Sequence, residues 1–489
     1  MGSKWLKPWM IQDLSDSTPL MIQKALPTLK LPDSRLRDRL RRVVESIQKS
    51  PDQSFPQLFS RKADLEGFYR LVNNSRVNFE SLLQETSDTI LQTVDQQSEE
   101  TLLAIHDSST FTFSANEPIE GLGEVINHKQ RLYGHFCLGV TLDREIRGVL
   151  GLMPWVREAD RKKKRTKKEL DADPHHERRR WSKLVHQVHV RAQHPKGLIH
   201  VADREADDYL TFCGFVDSGI RFVFRAAYDR KVVYNELPDY LFHVAAEAQV
   251  MCEREVSICI RKKKILPGRG NTHPERTARI AKLGISAKKI EIPRPKGNSP
   301  NPLPATLELN FVRVFELAPP AGESPIEWML ITLEPIETAE DLLQVVDIYR
   351  ARWVIEEYFK ALKTGCAFEK RGLESYSAIL NTLALLAPIA AKVYNLKILG
   401  RIDPQKSSQC VITQIQIKIL SHITSHDEKS LTTLGGAMLA IAALGGHIKY
   451  NGPPGWQVLI RGFEKLLQLE QGWIMAQQFI PYSSTHRDM

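Results

Sequence analysis

Cysteine is scarce: the 489 residues hold six, at positions 137, 213, 252, 259, 366 and 410, and no two form a C-x-x-C pair. Such spacing excludes a secreted disulfide scaffold and a zinc clip, and points to a reducing cytoplasm. Long apolar runs are missing as well. The longest, 378–393, is interrupted by Asn381, Thr382 and Pro388, and MGSKWLKPWMIQ at the start lacks the continuous core of a signal peptide. A soluble, non-exported chain with no membrane partner is expected. No fixed-period internal repeat is visible, which argues against a solenoid. Nor is there a surplus of acid: 67 Lys+Arg against 58 Asp+Glu leave a net charge of +9, so what matters is where the bases cluster.

What is present is an ordinary globular composition, 42% hydrophobic and 26% charged. A single core stops growing near about 250 to 300 residues, so the length requires more than one. Residues 1–98 read as a small helical unit. Leu36, Leu40 and Val43/Val44 recur at helical spacing among arginines, with Asp33 and Ser34 as N-cap candidates. From residue 102 short apolar runs take over. LLAIHD, RLYGHFCLGVTLD, REIRGVLGLMPWV, GLIHVAD and RFVFRAAY read as strands, with helices WSKLVHQVHVRAQ and EADDYLTFCGFVDSG between the later ones. That order is a mixed α/β sheet. Residues 228–335 lean towards β, AEDLLQVVDIYRARWVIEEYFKALKTG reads as one long helix, and the chain beyond 372 is helical.

Two carboxylates end apolar runs. Asp107 closes LLAIHD and Asp203 closes GLIHVAD, opening the cluster D-R-E-A-D. Strand ends are where α/β sheets place functional groups, but a lone Asp there is commonly a turn or cap residue, and D-R-E-A-D also suits a solvated first helical turn. The long helix adds a third acid, Glu356. With Tyr349, Arg352 and Lys363 it falls in a sector of about 60° on a regular helix. One acid among a phenol and two cations suits a metal-bound phosphodiester. Phosphoryl transfer needs hard divalent cations held by carboxylates, and Arg grips phosphate oxygens in a fork.

These segments resemble the DDE transposases of the insertion-sequence-four group, above all its transposon-five branch. Y-x-x-R-x-x-x-E-x-x-x-x-x-x-K (349–363) is similar to that family's helix signature, V-A-D-R-E-A-D to its second acidic motif and A-I-H-D-S-S-T to its first. D-S-R-L-R-D-R-L and G-F-Y-R-L-V-N-N resemble its end-binding helices, and L-A-I-A-A-L-G-G with G-W-Q-V-L-I-R-G-F-E-K-L its C-terminal ones. The resemblance implies an α/β fold with a ribonuclease-H-like catalytic core at 99–372, carrying a β-rich insertion at 228–335. This core is flanked by an N-terminal helical DNA-binding domain (1–98) and a C-terminal helical dimerisation domain (373–489).

It further implies that Asp107, Asp203 and Glu356 are the catalytic, metal-binding triad, for Mg2+ with Mn2+ as a substitute. Tyr349, Arg352 and Lys363 would hold phosphates, Trp328 would stack on a flipped base, and Arg225, Arg35 and Arg39 would contact DNA. The partners implied are double-stranded DNA, as transposon ends and target, and a second copy of the chain; the setting is the bacterial cytoplasm, at the nucleoid. The activity is cut-and-paste transposition through a hairpin. The rivals are an inactive end-binding regulator and a metal-dependent nuclease without strand transfer. Two departures stand out: Arg35 is followed by Leu36 where the family has a second arginine, and His106, read as a bystander, stands where relatives have an acid.

The positive charge gathers at 35–42, at 161–168 (RKKKRTKK), at 178–180 and at 261–264, with Lys288/Lys289 besides. Phosphate neutralisation by such runs gives affinity without sequence information.

Overall fold

Helix α1 (Ser34–Lys49) shows how the local pattern becomes structure: Leu36, Leu40, Val43, Val44 and Ile47 are buried on one side while Arg35, Arg41 and Arg42 face outward. Asp33 starts it, accepting from the Arg35 backbone N–H at 2.8 Å. In this computed structural model residues 33–479 are described apart from short breaks, the longest being 158–172. The basic runs at 161–168 and 261–263 therefore lie outside the described residues, as do 1–32 and 480–489. Helices α2 (Lys62–Val72) and α3 (Phe79–Gln96) follow before the first strand.

A mixed sheet of eleven strands follows. β1 (Leu102–Ser114), β2 (Lys129–Thr141) and β3 (Ile146–Trp155) form an antiparallel meander. β4 (Leu198–Ala202) and β5 (Arg221–Arg225) add in parallel on the other side of β1. The order β3-β2-β1-β4-β5 is consistent with a ribonuclease-H-like core. Between these strands lie α4 (Arg180–His189) and α5 (Tyr209–Asp217).

The β-rich stretch continues the same sheet. It comprises β6 (Lys231–Tyr234), β7 (Leu237–Tyr240), β8 (Cys252–Ile258), β9 (Arg279–Pro293), β10 (Thr306–Glu316) and β11 (Glu327–Thr332). A short helix, Leu241–Glu247, is an element the β reading missed. The returning strand β11 pairs antiparallel with β5, so the β-rich stretch grows out of that edge of the sheet.

The expected single helix at 339–365 is divided. It comprises α6 (Ala339–Ala351), α7 (Trp353–Lys360) and a π-helical turn at Ala361–Gly365. Tight bonds mark the break: Arg352 N–H donates to Tyr349 O at 3.0 Å and Ile355 N–H to Arg352 O at 3.2 Å. Tightened and widened turns inside a helix shift every later side chain around the axis, and they concentrate at functional places.

α8 (Tyr376–Tyr394) runs on to Ile402 as the one described helix long and apolar enough to cross a membrane, with 78% of its apolar window buried. Its apolar faces are used within the protein: one core joins it to α1–α3, α6, α7 and one face of β1, β4 and β5. The opposite face of the sheet is covered by α4 and α5. A separate core holds α9 (Gln414–Ile423), α10 (Leu434–Leu444) and α11 (Trp456–Phe479). α10 and α11 cross so closely that a Cβ on Gly462 would lie 1.7 Å from Ile441 O, so only glycine fits. No disulfide joins the five cysteines among the described residues.

Candidate active site

Strands β1 and β4 run side by side only as far as the pair Ile105 and Val201. Asp107 and Asp203 each lie two residues beyond that pair, so strand alternation puts both on the face covered by α6 and α7. The expectation that Asp107 ends its strand is corrected: β1 continues to Ser114, still paired with β2, and Asp107 sits mid-strand. What ends there is the pairing with β4. The carboxylates line a fork between two diverging strands, where backbone hydrogen bonds no longer hold the two together.

The aspartates of 203–208 separate by role. Asp203 is extended, with φ −88 and ψ −174, and its side chain makes no cap hydrogen bond. It accepts instead from the Tyr349 hydroxyl at 3.3 Å and lies 3.9 Å from Arg225 Nη1. Asp207 is buried on Arg230 and on the Ala227 backbone N–H at 2.6 Å. Asp208 is the cap of α5, accepting from Thr211 N–H at 3.2 Å.

Arg352 stands between Asp107 and Glu356. Its guanidinium is nearly buried, 3.6 Å from Asp107 Oδ2 and 2.9 Å from Glu356 Oε1. Burial works against its charge, yet Asp203, Tyr349, Glu356 and Asp107 together hold its pKa above the ordinary arginine value. The acids are not satisfied in return. Burial pushes the Asp107 carboxyl up to about 6; the Ser108 N–H and Arg352 oppose this, while Glu356 and Asp203 add to it. Glu356 is likewise raised by burial, against Arg352 and Lys360. Burial and then the Asp203 charge raise the Tyr349 phenol, keeping it a donor.

The remaining candidates fall around this group. Trp328, on β11, lies with its ring centroid 5.6 Å from that of Tyr349. Arg225 also donates to Glu327 O at 3.0 Å, tying it to the residue before Trp328. Lys363 lies on the π-helical turn and not on a regular helix. The π turn carries it to β1, where Nζ donates to Thr110 O at 2.8 Å and lies 5.2 Å from the centre of the Phe111 ring. Burial lowers its pKa. Arg35 and Arg39 sit on α1, which packs on α2, α8 and α11; Arg35 is exposed and Arg39 lies over Gly67.

Behind Asp107, on the other face of the sheet, three fully buried histidines meet. His106 Nε2 is 2.9 Å from His200 Nδ1, and His135 Nδ1 is 3.0 Å from Ser108 Oγ. Burial holds all three well below the usual histidine pKa, and therefore neutral. His106 is thus part of a buried, neutral polar layer under the carboxylates. Nothing in the sequence pattern marked His135 or His200. Their only signal is that each lies on a strand neighbouring β1.

Chemically the site offers three carboxylates, hard oxygen donors, short of positive charge in a half-buried fork. That donor set fits a divalent cation such as magnesium or manganese. Among the described residues no three acids, histidines or cysteines are already grouped as a metal cage, and the space between the carboxylates belongs to Arg352.

Two family models match the chain: Transposase DNA-binding over residues 21–77 and Transposase DDE domain over residues 153–391. The first includes Arg35 and Arg39. The second includes Asp203, Trp328, Tyr349, Arg352, Glu356 and Lys363, and begins after Asp107, whose place in the site rests on the strand geometry.

Proposed function

Since this chain is a DDE transposase, a metal-dependent DNA-cleaving enzyme with a DNA-binding domain, we propose that Asp107, Asp203 and Glu356 are its catalytic carboxylates. The observation that carries this reading is the convergence on one helix: Asp107 and Glu356, 249 positions apart in the chain, pair with the Arg352 guanidinium, and Asp203 accepts from the hydroxyl of Tyr349 one turn before it. The three acids would hold Mg2+, with Mn2+ as a substitute, supplying charge neutralisation at the phosphate and an activated oxygen.

The chain's own groups do the rest. Arg352 and Tyr349 present a fork and a phenol to non-bridging phosphate oxygens. Trp328, beside Tyr349, offers a ring face to a base displaced from the duplex. Arg225 and Lys363 stand at either side of the fork, on β5 and against β1, as further phosphate partners. Arg35 and Arg39 grip the backbone of the transposon end. The reaction is cut-and-paste transposition: a strand nick frees a 3′ hydroxyl, which attacks the opposite strand to form a hairpin. A second hydrolysis opens the hairpin, and the ends join target DNA. The enzyme is of the insertion-sequence-four group and transposon-five type, works in the bacterial cytoplasm, and pairs two ends as a homodimer through its C-terminal helices. In support, all these displacements are in-line at phosphorus and need only one such site.

Incubation with the element's own end DNA and Mg2+ or Mn2+ tests it. Flush double-strand excision through a hairpin is expected. Binding without cleavage would make the chain an end-binding regulator, and cleavage without hairpins or joining a nuclease.

A further inference from the structure

The run Arg178 to Arg180 reads from the sequence as DNA-contacting charge, but Arg180 points inward. It opens α4 on the sheet face opposite Arg352, and its side chain is 14% exposed. Its Nε donates to Ser108 Oγ at 3.2 Å, its Nη1 to Glu177 O at 2.8 Å, and its Nη2 to Glu205. The guanidinium lies 5.0 Å from the ring centre of Trp155 and 5.6 Å from that of Trp181, which fix its plane.

Its two side-chain partners are neighbours of the two strand carboxylates. Ser108 follows Asp107 and donates its backbone N–H to Asp107 Oδ1 at 2.7 Å. Glu205 lies two residues beyond Asp203 on the 3-10 turn that leaves β4. Arg180 therefore spans the fork at the point where the hydrogen bonds between β1 and β4 have stopped, from the side opposite to Arg352.

We propose that Arg180 is a positioning residue that sets the separation of Asp107 and Asp203 by cross-linking Ser108 to Glu205 behind them. Three donor directions from one plane are required, and a lysine ammonium cannot span the same partners as a planar fork. Groups that hold metal ligands in place are commonly worth about 10- to 100-fold in metal affinity. The proposal rests on the assignment of Asp107 and Asp203 as metal ligands, and the test separates the two.

Mn2+ binding to the full-length protein without DNA, followed by electron paramagnetic resonance, reads the clamp directly, and thermal melting checks the fold. R180K is expected to weaken Mn2+ binding by roughly tenfold with the fold retained, and higher Mn2+ should recover much of the nicking rate. E205A, which removes only the exposed partner, should shift affinity in the same direction and by less. Unchanged Mn2+ affinity in both R180K and E205A overturns the clamp. D203N distinguishes the underlying assignment: unchanged affinity there removes Asp203 from the metal site, whereas lost affinity in D203N with none lost in R180K and E205A removes only Arg180.

Discussion

At the junction between α8 and the N-terminal helices, side-chain donors meet uncharged protein acceptors. Asn381 Nδ2 donates to the carbonyls of Val72 and Val77 at 2.9 Å each, Ser375 Oγ donates to Asn73 Oδ1 at 2.6 Å, and Arg371 reaches Gln53 O at 2.7 Å and Cys366 O at 3.0 Å. At the fork between β1 and β4, Asp107 and Glu356 share one arginine with Asp203 close by, and Asp107 is left with its carboxyl raised to about 6. The first region exchanges water for protein partners at little net loss and so joins two helical layers. The second holds charge that the fold itself does not balance. Unbalanced acid is a cost to stability and a capacity for another cation, which is why perturbed groups gather at functional sites.

The contrast can be broken most sharply at Asp203. D203A should abolish cleavage, by at least roughly a thousandfold, while DNA binding and melting temperature stay near the parent; cleavage retained in a strand-nicking assay would remove it from the triad.

N381A should do the reverse. Two buried carbonyls lose their donor, about 2 to 4 kcal/mol of stability is lost, and Mn2+ affinity of the folded protein is unchanged; denaturant midpoints and metal titrations on one preparation check both halves.

D107N sharpens the comparison through pH. A carboxyl at about 6 in the fold against 3.8 as its ordinary value gives stability that is complete below the lower value and lost as pH rises through the higher. In metal-free buffer D107N should therefore melt above the parent at pH 7.5, by about 1 to 3 kcal/mol. The gain should vanish near pH 4, and an equal gain at both pH values would show that the carboxyl is not strained.

The smallest effect is expected far from the fork. R39A should weaken end binding and lower the slope of log affinity against log salt by about one, with nicking of bound ends unaltered. Neutralising the bases of 161–168 should flatten the same slope without changing end preference.

Much of this was legible in the sequence because it is periodic or local. Leu36, Leu40 and Val43 announced a helix face, the apolar runs announced β1 to β5, and the Y-x-x-R-x-x-x-E pattern set Tyr349, Arg352 and Glu356 one to two turns apart on a common side. The π turn at Ala361–Gly365, on which Lys363 lies, has no signal in the regular-helix pattern. The strand end at Asp107 was misread because hydrophobicity stops there while pairing with β2 does not.

By itself, then, the sequence determined which side chains are available and which periods they follow, since propensity and alternation act over a few residues. Only the tertiary structure decided what those side chains meet. It sent Asp203 to Tyr349, Asp207 to Arg230 and Asp208 to the α5 cap, three fates within six residues. It also turned Arg180 from a surface charge into a bridge behind the carboxylates. Those choices depend on partners brought together by sheet pairing and helix packing across distant parts of the chain, and burial then fixes how strongly each charge is felt.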